Sequence, residues 1–190
     1  TPDGKRAGIF YIPLPDPSKF NITSGMESLF LHEAIPGHHY QVALQQENKN
    51  IPKFMRFGWF GAYGEGWAHY CETLGPEFDL YTNPYQKMGY LSDQMLRAVR
   101  LVIDTGLHTG SMSREQAIQY FLSNVAYDEA SATAEIERYM AMPGQALSYK
   151  TGSIKIRELR NKYEASLGNK FHLAKFHDEI LSQGCLPLSV

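Results

Sequence analysis

A mainly α fold, with one short edge strand ahead of the first helix, is the class this sequence predicts, and three observations carry the prediction. Ser followed three residues later by Glu or Gln precedes apolar stretches twice, at Ser24/Glu27 and Ser113/Gln116, which is the capping-box signature of a helix start. The helix-ending pairs Gly75-Pro76 and Pro143-Gly144 cut the intervening sequence, rich in Leu, Met and Val, into helix-sized lengths. Only one stretch, residues 7–14, is β-branched and aromatic at its centre (Ile9, Phe10, Tyr11, Ile12), with Gly8 and Pro13, Pro15 and Pro17 at its bounds.

In chain order, the first helix begins at Ser24, where Met26, Leu29, Phe30 and Leu31 form an apolar face, and it carries His32 and Glu33. Pro36-Gly37 interrupts it, because proline removes a helical N–H and disfavours helical backbone at the preceding residue. A helical pattern resumes over residues 41–46 and closes at residues 48–52, Asn-Lys-Asn-Ile-Pro. Further helices are expected over about 64–74, 83–107, 113–122, 129–140, 145–167 and 171–182, the last two stopped by Gly168 and Gly184.

With 190 residues, 43% hydrophobic and 20% charged, the chain can bury a core without disulfides, and residues 1–190 read as a single domain free of repeats. Lys+Arg 18 against Asp+Glu 20 gives a net charge of -2, which leaves no electrostatic footprint for nucleic acid or an anionic membrane surface. No apolar run approaches the roughly 18 residues needed to span a bilayer, and residues 1–6 have no signal-peptide segment behind them. The compartment is left open. Cys71 and Cys185 are too few and too far apart for a disulfide framework or a thiolate metal site. Because the sequence starts with Thr rather than Met, we expect it to be a piece of a longer protein.

Three of the seven histidines cluster in Leu31-His32-Glu33-Ala34-Ile35-Pro36-Gly37-His38-His39-Tyr40. The zinc-peptidase pattern H-E-x-x-H works because residues four apart share a helix face, so two imidazoles reach one ion beside a basic Glu. Here the fourth position is Pro36. On a straight helix His38 would lie about 9 Å further along the axis and about 120° off the His32 face, and His39 about 10.5 Å away, so neither could share a metal with His32. A bend at Pro36-Gly37 would bring His38 back, whereas a plain helix break would leave the histidines capping exposed carbonyls.

A second cluster places Glu65, His69 and Glu72 on one helix face among Trp59, Phe60, Tyr63 and Trp67. A carboxylate buried among aromatics needs a cation, a metal or several hydrogen bonds, and Glu65 is far enough after His38 to fold back as a third ligand. The competing reading is an amphipathic face with an exposed His69–Glu72 pair. Arg97, Arg100, Asp104 and His108 form a polar stripe, either lining a cleft or solvated. Arg138-Tyr139 and residues 143–152, which include Tyr149 and Lys150, read alone as a loop and helix start.

Four ordered blocks, H-E-A-I-P-G-H-H-Y-Q from His32, G-E-G-W-A-x-Y-x-E from Gly64, D-T-G-x-H from Asp104 and E-R-Y-x-x-x-P-G-Q-A-x-S-Y-K-x-G from Glu137, together resemble the bacterial domain-of-unknown-function family 885. That family is regarded as zincin-like and related to the gluzincin metallopeptidases. Its members are longer than this chain and often exported. The resemblance implies a zincin-like helical domain forming the C-terminal part of a longer protein, with the N-terminal remainder as its neighbour. It implies Zn2+ as cofactor, His32, His38 and Glu65 as its ligands, and Glu33 as the base. His38 ranks above His39, whose position also accepts aromatic residues in the family, and His69 stays out of the ligand set. Tyr149 and His108 resemble the oxyanion-stabilising Tyr and His of gluzincins, and residues 9–12 the edge strand along which a peptide substrate aligns.

The mechanism so implied is peptide hydrolysis by a metal-activated water, with Glu33 moving the proton, Tyr149 or His108 stabilising the oxyanion, and Glu72 or Asp104 orienting a ligand imidazole. The broken H-E-x-x-H spacing and the short chain motivate an alternative, a non-catalytic helical module or pseudo-peptidase without bound metal.

Overall fold

In the computed structural model, which describes residues 4–12 and 24–190, the described residues are mainly helical from Met26 onward. The described helices are α1 (Met26–Glu33), α2 (His38–Glu47), α3 (Lys53–Arg56), α4 (Gly61–Glu72), α5 (Pro84–His108), α6 (Arg114–Asn124), α7 (Glu129–Ala141), α8 (Gln145–Leu167) and α9 (Leu173–Leu181), with 3-10 turns at Gly75–Phe78 and Gly168–Lys170. None is long and apolar enough to cross a membrane.

Local capping chemistry accounts for the starts of α5, α6 and α7. Asn83 caps α5 by accepting from the Tyr85 N–H, with Pro84 in the first turn. Ser113 and Gln116 form the full capping box on α6, and Asp128 caps α7 through the Ser131 N–H. The box expected at Ser24 does not form. Gly25, at φ 79°, is the N-cap of α1 without a side-chain cap, because the Glu27 carboxylate instead accepts from the Tyr81 N–H at 2.6 Å.

The edge strand is corrected as well. Residues 7–12 are irregular, and no strand occurs among the described residues; Pro13 and Leu14 lie outside them. A strand exists only through the backbone ladder of a neighbour, and the described neighbours of this segment are side chains. The Phe10 ring lies 6.3 Å from that of Phe30, and Gly8 lies against the His39 imidazole. Helix α4 starts three residues earlier than expected, and α3 was not anticipated; the Gln45 amide secures it by donating to the Met55 and Gly58 carbonyls at 2.7 and 2.9 Å.

Two hydrophobic clusters hold the helices. Leu96, Val99 and Ile103 of α5 pack with Ala117, Ile118 and Phe121 of α6 and Ala132, Ile136 and Tyr139 of α7. Trp67, Tyr70 and Cys71 of α4, with Leu74, pack with Ile156 of α8 and Phe176 and Leu181 of α9. The most extensive helix pairing is α4 on α8. It is close because two glycines face each other: a Cβ on Gly66 would stand 2.4 Å from Gly152 Cα, and one on Gly152 would stand 1.7 Å from the Ala62 carbonyl oxygen. One face of α4 is thereby committed to α8 and α9, and the face bearing Glu65 and Glu72 turns to α1, α2 and α5.

Candidate metal centre

The site begins with the chain reversal between α1 and α2. After Glu33 the helix stops, and four residues later α2 restarts with His38 as its first residue. Gly37 lies so tightly on the last turn of α1 that a Cβ there would be 1.9 Å from the His32 carbonyl oxygen, so any other residue would push the reversal open. Trp67 of α4 pins it by donating its indole N–H to the Pro36 carbonyl at 2.8 Å. The result is neither a straight helix nor a gently bent one. His32 and His38 come together at 4.8 Å between ring centroids, edge to face.

Glu65 of α4 completes the group. Its Oε2 lies 3.1 Å from His38 Nε2 and 3.8 Å from His32 Nε2, and the ligand atoms of His32, His38 and Glu65 all fall within 4.8 Å of one another. Behind them, Glu72 Oε1 lies 2.7 Å from His32 Nδ1, and its Oε2 lies 3.2 Å from His69 Nδ1. Gln94 donates to Glu72 Oε2 at 3.2 Å and accepts from Lys150 at 3.0 Å. Gln145 donates to Glu65 Oε1 at 3.3 Å and to the Tyr149 hydroxyl at 3.0 Å.

Electrostatics follow from this crowding. Burial opposes a charge on His32, but the Glu65 and Glu72 carboxylates outweigh it and raise its pKa to about 9. Burial opposes ionisation of Glu65 too, and the two imidazoles reverse that and bring it down to about 2. Glu72 is lowered against its burial by hydrogen bonds to His32 and His69. His69 is lowered, chiefly by burial, against the raising effect of Glu72. A buried carboxylate, Glu72, and a partly buried one, Glu65, thus share a pocket with imidazoles and favour a cation there. Two imidazoles, one carboxylate and a second carboxylate on the far nitrogen of His32 is the donor set of a catalytic zinc site, so the residues fit that ion.

The other candidates lie as follows. Glu33 is exposed and, among the described residues, makes no hydrogen bond or ion pair. Tyr149 stacks on His32 at 6.0 Å. His108 lies eight residues beyond Arg100, about 12 Å along α5, and donates to the Tyr139 carbonyl at 3.1 Å, so it is not gathered with the cluster. Asp104 orients no imidazole ligand; both its oxygens accept from the Gly144 N–H, at 3.1 and 3.2 Å, at the start of α8. His39 is exposed, and His69 is fully buried with Nε2 unpartnered. Trp67, Gln94 and Gln145 were missed as site residues, although Trp67 and Gln145 stand within the quoted motif blocks.

Known proteins agree with the fold and leave the chemistry open. A crystal structure from Colwellia psychrerythraea, described as a "putative lipoprotein", matches with TM-score 0.94 and 46% identity over 99% of this chain and 32% of that one. A second, so described and of unknown function, from Shewanella oneidensis, matches with TM-score 0.78 and 28% identity over 86% of this chain and 30% of that one. The chain therefore spans about a third of the length of these solved relatives. None of the curated proteins matches it. The family described as "Bacterial protein of unknown function (DUF885)" matches residues 1–190, the whole length of this sequence, and the chain belongs to that family.

Proposed function

We propose that this chain carries a zinc-dependent peptidase centre, with His32, His38 and Glu65 as the residues that hold the metal. The observation that carries the reading is the convergence of their ligand atoms within 4.8 Å, with the Glu72 carboxylate 2.7 Å from the other ring nitrogen of His32. A bound zinc ion supplies an acidified water and an electron-pair acceptor for a carbonyl oxygen. Glu33, adjacent to His32 and with no side-chain partner among the described residues, would take up a proton at its carboxylate and return it to the leaving amine. Tyr149 presents the donor for the oxyanion: its oxygen accepts from Gln145, which leaves its own O–H free. His108 has its Nε2–H engaged by Tyr139, so the reading rests on Tyr149. Glu72 fixes the tautomer of His32. The same reading takes the chain as a zincin-like catalytic portion of a longer peptidase, in keeping with its coverage of about a third of each solved relative.

The test is zinc content and peptide hydrolysis measured on three proteins. Wild type should hold near-stoichiometric zinc, His32→Ala should lose it, and Glu33→Gln should keep the zinc while losing hydrolysis. Undiminished turnover in Glu33→Gln would remove Glu33 from the reaction. A wild-type protein that takes up no added zinc at neutral pH, and whose melting temperature ignores chelator, would favour the non-catalytic module.

A further inference from the structure

Two arginines flank the ring of Tyr149, and they differ in one respect. The Arg100 guanidinium lies 4.9 Å from the ring centroid and has firm acceptors: its Nε donates to the Tyr139 hydroxyl at 2.9 Å and its Nη2 to Glu135 at 2.8 Å. Arg97, one helical turn earlier on α5, lies 5.3 Å from the same ring. Among the described residues its nearest carboxylate, Asp93, is 3.8 Å away, beyond hydrogen-bond distance, and its Nε is buried with no partner. A guanidinium carries five N–H donors in a fixed fork, and leaving a buried donor unpaired is costly. Arg97 is thus a cation stacked on one aromatic face, short of acceptors, with its side chain 15% exposed and so reachable from solvent.

Its position gives this meaning. The Tyr149 ring that Arg97 covers lies 6.0 Å from His32. The steps of 6.0 and 5.3 Å put Arg97 no more than about 11 Å from the His32 ring, so at most about three extended residues, at about 3.5 Å each, separate the two. The ligand that complements a planar guanidinium fork is a carboxylate, held by two parallel hydrogen bonds.

We propose that Arg97 is the carboxylate anchor of this site, and that the substrates are peptides whose free C-terminal carboxylate lies one to three residues beyond the scissile bond. The centre then works as an exopeptidase, releasing short C-terminal fragments. The location of the scissile bond rests on the metal-centre reading above; the affinity of Arg97 for a carboxylate does not. The same fork would accept an Asp or Glu side chain, and the test separates the two sources.

The experiment is calorimetric binding to the full chain, with bound metal stripped by chelator, so that its outcome is independent of zinc and of turnover. Three probes are used: acetyl-Phe-Ala-Ala as the free acid, its C-terminal amide, and acetyl-Phe-Glu-Ala amide, which offers a carboxylate only on a side chain. Wild type is expected to bind the free acid at least about tenfold more tightly than either amide. Arg97→Gln should abolish that preference and Arg97→Lys should keep part of it, since a lysine retains the charge and loses the fork. Equal affinity of wild type for the acid and its amide overturns the proposal without recourse to any variant. So does an acid preference that survives in Arg97→Gln, or a side-chain carboxylate bound as tightly as the terminal one. Zinc content measured on the same preparations reports separately on the metal centre.

Discussion

Glu72 is 1% exposed, and its two oxygens contact two imidazoles, His32 and His69, and the Gln94 amide. It lies behind His32 rather than among the atoms that converge on the cluster, and holds the ring with Nε2 facing forward; in the proposed zinc centre it would also raise the basicity of that imidazole. Replacing it with Gln keeps the shape and removes the charge. Glu72→Gln is expected to lower zinc affinity about 10- to 100-fold with the fold intact, measured by competition with a chelator of known affinity; unchanged affinity would show that His32 is oriented without it. The sequence made part of this legible. The gathering of His32, His38 and Glu65 was readable from residue type and the matching motif blocks, and the need of the second cluster for a cation or hydrogen bonds followed from carboxylates placed among aromatics. Which carboxylate serves which imidazole was not readable. Glu72 and Asp104 are chemically equivalent candidates for a second-layer carboxylate, and only the packing of α4 and α5 shows that Glu72 meets His32 while Asp104 caps α8.

At the scale of elements, His32, His38 and Glu65 are carried by three helices, and their convergence depends on how closely the backbones approach. Helix α4 can bring Glu65 to the histidines, while keeping Trp67 and Tyr70 in the core behind it, because Gly66 and Gly152 let it lie directly on α8. A methyl group on Gly152 would stand 1.7 Å from the Ala62 carbonyl oxygen and 2.7 Å from Gly66 Cα. Both neighbours are backbone, so no rotamer change relieves the clash and the helices must separate. Gly152→Ala is therefore expected to destabilise the fold by about 1–3 kcal/mol or more, read from urea unfolding, and to weaken zinc binding at the same time by drawing Glu65 away from His38. A variant with wild-type stability would mean that the helices are not in contact there. The helix content was legible because capping residues and Gly-Pro stops are local. The errors were failures of local rules against tertiary ones. Ser24 and Glu27 have the spacing of a capping box, but the Tyr81 N–H takes Glu27. Residues 7–12 have strand composition without a partner strand among the described residues. The reversal at Pro36-Gly37 was seen as a break, while the Trp67 hydrogen bond that fixes its direction joins residues 31 apart in sequence.

For the molecule as a whole, the site is supported from behind by the contact of α9 with α4, and this contact carries a titratable group. His177 of α9 lies among the Trp67, Tyr70 and Phe176 rings, with centroids 5.2, 5.6 and 5.8 Å away. Arg160 Nη1 donates to the Tyr70 hydroxyl at 3.3 Å, and that hydroxyl lies 2.9 Å from His177 Nε2, to which it donates when the imidazole is neutral. Burial, reinforced by the nearby Arg160 charge, lowers the His177 pKa from 6.5 to about 4. Between those two values the unfolded chain binds a proton that the folded chain refuses, so folding stability rises with pH across the window. The contribution is complete above pH 6.5, falls away as pH drops toward 4, and is gone below it. After allowance for partial exposure it amounts to about 1–2 kcal/mol. His177→Gln keeps an acceptor for Tyr70 and cannot titrate in this range. Urea unfolding of both proteins at pH 7 and pH 4.5 should show the wild type losing more stability than the variant by that amount. Contributions from every other ionisable group are common to the two proteins and cancel in the difference. Equal losses would mean that the imidazole is protonated in the folded state and that α9 is not held by a neutral His177. Where the wild type does lose more, the support behind Trp67, and with it the hydrogen bond that holds the Pro36 reversal, weakens below pH 6.5, so zinc retention in mild acid should also be poorer in the wild type than in the variant.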